Sequence, residues 1–374
     1  MVQLVFVHGV ATRTTPKYKV EVENRNQLFT QVAFKDRPLD IRCPMWGDEV
    51  PAPAWGGAAF PKLGRDNVAS FSLQGLTPGA KTGGAAGMSV ASIAATNPAA
   101  AIDTVFAELV DAADREGRAL TQDDIAQFQA VSMKLKGGGF SPALKASGTD
   151  SAFVKALRTE AGVAKSYGLL DPLKAAAVAV ADRGRNLLAD GVVALARDGI
   201  NPLVGRFLGD IFVYLKDGDL RQRIRAAIRP ALLDAHAKRG QGEGLVLIGH
   251  SLGGVILYDM LTSDRELDLP KDAVDLLVTV GSQPGFFEEL KLFEDDDLKL
   301  VAPTKVGGPE AVKSWLNVYD PVDFFGFRAQ PIFEKATDLT FNSVTGLLDA
   351  HTTYFKRPQF HARLQAHLDE LKIA

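Results

Sequence analysis

The stretch Gly244-Leu245-Val246-Leu247-Ile248-Gly249-His250-Ser251-Leu252-Gly253-Gly254 decides how this chain is read. Leu245 to Ile248 are apolar at every position, the mark of a strand buried on both faces of a parallel sheet. Val255 to Leu261 then read as a helix. A Gly-x-Ser-x-Gly string is weak by itself, since the chain holds 35 glycines. Between a buried strand and a helix it gains force. Gly249 and Gly253 carry no side chains that would clash in a sharp turn. Such a turn lifts the Ser251 hydroxyl to the top of the sheet, beside the free N–H groups of a helix N-terminus.

Working outward, the same strand-and-helix pattern occurs at both ends of the chain. Leu4 to Val7 is a strand-length apolar run closed by His8-Gly9, and a helix is expected around Val20 to Phe34. Asp40 to Trp46 alternates like a half-buried strand, with Pro44 marking it as an edge. After Gly209, Leu220, Ile224, Ile228 and Leu232 fall on one helical face, with Pro230 as an expected kink. Val274 to Val280 and Trp315 to Tyr319 are further strands. Phe360, Leu364, Leu368 and Leu371 form the stripe of a closing helix, with Pro358 at its first turn.

The middle differs. Gly75 to Gly87 and Gly137 to Gly139 are glycine-rich loops. Helical patterns cover Asp103 to Glu116, Gln122 to Lys136, Ser151 to Ala161 and Leu173 to Ala196. The expected architecture is therefore α/β: a mostly parallel sheet flanked by helices, built from residues 1–50 and 207–374. A helical insertion, residues 51–206, lies between the early strands and Ser251. A packed helical domain and a moving lid are equally compatible with it.

Composition excludes several classes. The 374 residues are 46% hydrophobic and 23% charged, ordinary for a globular protein with a sizeable core. With 42 Lys and Arg against 45 Asp and Glu, no basic field argues for nucleic acid. A single cysteine, Cys43, leaves no intramolecular disulfide framework and no cysteine-based zinc site. The N-terminus lacks a basic region and a cleavage site of the secretory type. The uncharged stretch Thr82 to Ile102 is too rich in small polar residues for a bilayer helix. A cytoplasmic protein is expected.

The Gly-His-Ser-Leu-Gly turn in this setting resembles the α/β-hydrolase superfamily, in particular its bacterial lipase- and esterase-like members. The resemblance covers the two α/β stretches, about half the chain. It implies a triad in the chain order Ser, acid, His. Asp320-Pro321-Val322-Asp323 follows the strand ending at Tyr319, and Asp320, first off the strand, is the better match for the acid, with Asp323 in reserve. His351, in a loop-like stretch before the closing helix, matches the base. His361 and His367 lie on that helix, His236 on the polar end of another, and His250 is expected to point away from Ser251, under the turn. The His8-Gly9-Val10 turn implies one oxyanion-hole N–H from Val10, and Leu252 supplies the second. Gly9 lines the site. Gly281-Ser282-Gln283-Pro284-Gly285 resembles a Gly-Ser-x-Pro turn of lipase-like proteins, placing Ser282 at the rim as a substrate contact.

These residues imply a serine hydrolase that cleaves small-molecule or lipid-like carboxylic esters through an acyl-enzyme, without cofactor or metal. The acidic run Glu294 to Asp297 reads as a solvated loop. A peptidase, thioesterase or acyltransferase would use the same triad, because fold does not choose the substrate. A hydrolase-shaped binding protein is the reading from a different class. Against it, nucleophile, acid, base and both oxyanion positions hold competent residue types. Membrane-surface contact through Leu173 to Ala196 is a third reading. Oligomeric state is open.

Overall fold

A strand that is apolar at every position needs a hydrophobic layer on each face, and that requirement organises the fold. The computed structural model describes residues 1–51, 89–137, 140, 142–161, 172–189, 209–216, 218–293, 304–341 and 347–373. Its strands are β1 (Val2–Val7), β2 (Leu39–Arg42), β3 (Leu245–His250), β4 (Val274–Val280), β5 (Val312–Tyr319) and β6 (Ala336–Thr340). They form one parallel sheet in the order β2-β1-β3-β4-β5-β6. The described helices named below are α1 (Pro16–Leu28), α2 (Val90–Thr96), α3 (Pro98–Glu116), α4 (Gln122–Lys136), α5 (Pro142–Lys145) and α6 (Asp150–Ala161). They continue with α7 (Pro172–Ala189), α8 (Asp219–Lys238), α9 (Leu252–Ser263), α10 (Pro284–Glu289), α11 (Leu347–Thr352) and α12 (Pro358–Glu370). This is an α/β fold with helices on the sheet's faces, compatible with an α/β-hydrolase-like core.

The two-residue period of a strand sorts the core side chains. Leu4, Phe6, Val246 and Ile248 share one layer with Phe29, Phe360 and Leu364. Val5, Val7, Leu245 and Leu247 share the other with Ile224, Ile228 and Val255. On that second side, buried Asp259 of α9 accepts from Arg221 at 2.7 Å and Arg225 at 2.8 Å, both on α8. The ion pairs fix how α8 lies across α9. They specify that geometry more than they stabilise it, because burying charges costs desolvation.

Several boundaries differ from expectation for local reasons. α1 begins at Pro16, earlier than Val20: the Thr15 side chain accepts from the Tyr18 N–H and Pro16 takes the first turn. β2 stops at Arg42, short of Trp46, because Pro44 has no N–H to donate. It is an edge strand, as Pro44 indicated. β6 was not read from the sequence, since Ala-Thr-Asp-Leu-Thr is short, polar and mostly half-buried. The glycines of 75–87, Gly138, Gly139, the end of the predicted helix at 190–196 and the acidic run 294–297 lie outside the described residues.

The described insertion helices pack as a second layer. Residues of α2, α3, α4, α6 and α7 share a hydrophobic cluster with Leu28 and Val32. Ser132 of α4 donates to the Pro358 carbonyl at 3.2 Å, and Phe128 meets His361 edge-on at 5.4 Å. His361 is thereby buried, its Nε2–H donating to the Phe355 carbonyl at 2.7 Å. Among the described residues no helix is long and apolar enough to cross a membrane.

Asp103 of α3 accepts from the Gln359 N–H at 3.0 Å, tying the insertion to the start of α12. Burial raises its pKa to about 7, partly opposed by Arg357 and the Gln359 N–H. The folded state therefore holds this proton more tightly than the unfolded chain, and stability falls as pH rises from about 4 to about 7. Asp103→Asn removes that cost. Urea unfolding should find it more stable than wild type at pH 8, by a few kcal/mol at most at about 1.4 kcal/mol per pKa unit. The two proteins should converge near pH 4.

Candidate active site

The chain leaves β1 for β2 on one side and later places β3 on the other side of β1. At such a divergence a crevice opens beyond the carboxyl ends of the strands, where parallel sheets bind ligands. Val7 pairs in register with Gly249, so the turns after β1 and β3 emerge side by side. A Cβ on Gly9 would stand 2.9 Å from the Ser251 Cβ.

Ser251 has φ 53° and ψ −127°, in the left-handed half of backbone space that favours glycine. Holding a side-chain residue there costs about 1 to 3 kcal/mol, offset by its surroundings. Its N–H donates to the Val280 carbonyl at 2.9 Å. Its carbonyl accepts from the Gly254 N–H at 3.0 Å and the Ser282 hydroxyl at 2.6 Å. The turn is also too crowded for side chains. A Cβ on Gly249 would lie 2.5 Å from the Gly254 Cα, and one on Gly253 would strike the Val7 and His8 carbonyl oxygens. The Ser251 hydroxyl is buried and has no hydrogen-bond partner among the described residues.

Ser251 and His351 line one cavity of about 1030 Å³, together with Gly9 and Val10. That is near the upper end of the usual range for small-molecule sites, about 300–1000 Å³. His351 lies at the end of α11 rather than in a loop. Its Nδ1–H donates to both oxygens of Asp323, at 3.1 and 3.0 Å. This fixes the neutral tautomer in which Nε2 keeps its lone pair. Ser251 and His351 are not hydrogen-bonded to each other here.

The carboxylate facing His351 is thus Asp323, not Asp320. The reason is the turn. In Asp320-Pro321-Val322-Asp323 the Asp323 N–H donates to the Asp320 carbonyl at 2.9 Å. The Asp320 carboxylate caps the same turn, accepting from the Val322 N–H at 3.0 Å, and lies 3.7 Å from Arg357. Aspartate before proline commonly spends its side chain in this way. Asp323, coming out of the turn, also accepts from the Tyr354 hydroxyl at 2.9 Å and the Phe325 N–H at 2.9 Å. Tyr354 in turn accepts from the Asp320 N–H at 2.9 Å. Burial and the Asp323 charge raise the Tyr354 pKa, so its proton stays in place.

Two further placements differ from the sequence reading. Ser282 is fully buried beneath Ser251 and holds its carbonyl; it does not reach the cavity as a substrate contact. His250 does not pack away from the site. Its Nε2–H donates to the His351 carbonyl at 2.9 Å and its ring lies 4.9 Å from that of His351. Burial lowers its pKa to about 3, so it stays neutral.

The turn after β1 is held by its own hydrogen bonds. His8 stacks on Trp46, with ring centroids 4.8 Å apart, and accepts from the Trp46 N–H at 3.3 Å. Its Nδ1–H then donates to the Gly9 carbonyl at 2.8 Å, and Thr12 donates to the same oxygen at 3.1 Å. A trans peptide carries its N–H opposite its carbonyl, so this also fixes the direction of the Val10 N–H. Leu252 opens α9, where the N–H has no acceptor within the helix. Burial lowers the His8 pKa to about 3. Among the described residues no group of three or more His, Cys, Asp or Glu side chains is arranged to hold a metal ion.

Gly281 makes the Asp323–His351 pairing possible. It has φ 54°, and a Cβ there would stand 2.8 Å from Asp323 Oδ2 and 2.9 Å from the Tyr354 ring. Gly281→Ala should lower stability by about 1 to 3 kcal/mol in urea unfolding. It should also broaden or shift the far-downfield imidazole N–H resonance of His351 in proton NMR. Comparisons with protein-family models, with curated proteins and with solved structures returned no match for this chain.

Proposed function

We propose that the chain is a serine hydrolase that cleaves carboxylic esters, with Ser251 as nucleophile, His351 as base and Asp323 as the orienting acid. The carrying observation is the strained, unbonded Ser251 hydroxyl in the same cavity as a His351 held in the Nδ1–H tautomer by Asp323. Strained backbone positions cluster at functional sites.

In this reading Ser251 Oγ attacks the ester carbonyl and His351 Nε2 takes its proton. The carbonyl oxygen becomes an oxyanion facing the Val10 and Leu252 N–H groups. Each fixed donor is worth about 3 kcal/mol of transition-state stabilisation. The C–O bond to the alcohol breaks, the alcohol leaves with the His351 proton, and an acyl-serine remains. Water, deprotonated by His351, releases the acid and restores the Ser251 hydroxyl. Asp323 stabilises the imidazolium throughout. α3 contributes Val110, Asp111 and Asp114 to the cavity wall, so the insertion helps enclose the substrate.

A fluorophosphonate probe tests this before the substrate is known, since it requires an activated serine and little else. Labelling should vanish in Ser251→Ala and fall about 10⁴-fold in Asp323→Asn, where an amide favours the wrong imidazole tautomer. Asp320→Asn, compared per folded molecule, should lose less than about tenfold, because its carboxylate caps a turn. Equal losses in the two variants would remove Asp323 from the proposed triad. Labelling that survives Ser251→Ala would remove the nucleophile.

The pH profile is a separate check. His8 and His250 are held neutral, with pKa values lowered to about 3. Between pH 4.5 and 9 neither should therefore contribute an ionisation to the labelling rate. A two-proton acid limb would contradict the assignment.

A further inference from the structure

The loop after β1, residues 9–14, carries the proposed oxyanion donor, the Val10 N–H. Its shape is not one that the local sequence prefers. Ala11 has φ 58°, in the left-handed region that side chains disfavour, and no glycine stands there to relieve it. Such a conformation persists only where the surroundings hold it. The far end of the loop rests on the segment after β2. A Cβ on Gly47 would strike the Thr12 carbonyl, and Thr14 donates to Asp48 through its N–H at 3.0 Å and its hydroxyl at 2.6 Å. The near end is held by the bonds of His8 and Thr12 to the Gly9 carbonyl. Between these anchors lies the Val10–Ala11 peptide.

That peptide is held from a distant part of the chain. The Ala11 N–H donates to Asp210 Oδ2 at 2.8 Å, across 199 residues of sequence. Asp210 is buried, lines the Ser251 cavity and belongs to helical residues 209–215, just past the insertion. Its Oδ1 accepts from Arg13 Nη2 at 3.2 Å, and Arg13 Nη1 donates to the Thr12 carbonyl at 2.8 Å. The Arg13 side chain is 32% exposed and that of Asp210 only 4%. Water therefore screens the ion pair in part, and the shorter, buried bond to Ala11 is the firmer restraint.

The consequence is geometric. Holding the Gly9 carbonyl directs the Val10 N–H but leaves the Val10 Cα to shift with the peptide that follows. Asp210 holds that following peptide. An oxyanion donor works only where it already stands at hydrogen-bond distance, about 2.7–3.1 Å, from the place where charge develops. We propose that Asp210 is a positioning residue for ester cleavage, holding the Val10 N–H in place for the oxyanion through the Ala11 N–H. The proposal rests on the serine hydrolase reading and adds to it a residue from beyond the insertion, which acts through the loop and not on the substrate.

The test compares wild type with Asp210→Ala, Asp210→Leu and Asp210→Asn on 4-nitrophenyl butyrate, per folded molecule. In Asp210→Ala, kcat should fall about tenfold to a hundredfold with KM changed less than about threefold, the pattern of a contact that matters only in the transition state. Asp210→Leu fills the carboxylate's space without an acceptor and should behave alike; it keeps the comparison available where Asp210→Ala does not fold. Asp210→Asn loses the ion pair but keeps an oxygen for the Ala11 N–H, and should retain kcat within about fivefold. Asp48→Ala, which frees only the far end of the loop, should stay within about twofold. An alkyl trifluoromethyl ketone forms a hemiketal with the serine that places an oxyanion against the same donors. Its inhibition should weaken in each variant by the factor that kcat/KM loses.

An unchanged kcat in Asp210→Ala and Asp210→Leu overturns the proposal. So does an equal loss in Asp210→Asn, which would assign the effect to the Arg13 ion pair, or in Asp48→Ala, where any slackening of the loop would suffice. Trifluoromethyl ketone inhibition that is the same in all variants overturns it too. If the fluorophosphonate labels Ser251 without ester turnover, the labelling rate takes the place of kcat, because the phosphoryl oxygen faces the same donors. If wild type neither cleaves the ester nor takes the probe, the hydrolase reading fails and the role of Asp210 falls with it. With an active wild type, the variants decide the role of Asp210 alone.

Discussion

The positive φ of Ser251 is the constraint on which the site depends. A parallel strand and the helix that follows must reverse direction within a few residues while both stay packed against the sheet. Here β3 and α9 meet so closely that Gly249 touches Gly254 and Gly253 touches the end of β1. No room is left for Ser251 to relax into an extended or helical conformation. The bonds from Val280, Ser282 and Gly254 complete the restraint. The same crowding brings the turns after β1 and β3 together, so one local compression sets Ser251 and the Val10 peptide at once.

The Asp323–His351 pair is built on a second compression. Gly281, one residue beyond β4, has no side chain, and the carboxylate and imidazole occupy that space. Tyr354 joins the two aspartates of one turn by accepting from the backbone of Asp320 and donating to the side chain of Asp323. His250 completes the arrangement by holding the His351 carbonyl. Three backbone turns, after β3, β4 and β5, therefore converge on one imidazole. Their convergence follows from the register of adjacent parallel strands, with Ser251, Gly281 and Asp320 all placed just beyond a carboxyl end.

The insertion bears on this site more directly than a detached module would. Asp111 and Asp114 of α3 hold Lys356, five residues beyond His351, and Asn24 of α1 donates to Asp114 at 2.8 Å. The wall of the cavity is therefore tied by ion pairs to the histidine segment and by a hydrogen bond to α1. Contacts of α4 with α12, Phe128 on the His361 ring and Ser132 on the Pro358 carbonyl, support it from outside.

Much of this was written in the local sequence. Leu245 to Ile248 and Val274 to Val280 could only be strands buried on both faces, because their apolar run has neither a helical period nor a polar side. The glycines around Ser251 declared the sharp turn, since steric exclusion of a Cβ acts over a few residues. His351 stood out by its place before the closing helix. What stayed illegible depends on contacts between distant segments. Asp320 was favoured over Asp323 because order along the chain says nothing of where a turn aims its side chains; yet Asp-Pro at its start was a signal that the first carboxylate would cap the turn. Ser282 looked like a substrate contact at the rim until the close approach of α9 buried it. β6 is short and half polar, and pairing with β5 alone makes it a strand. Sequence determines where the backbone must turn, because that is local sterics; only the tertiary structure decides which side chains meet, because pairing is a matter of distance in space.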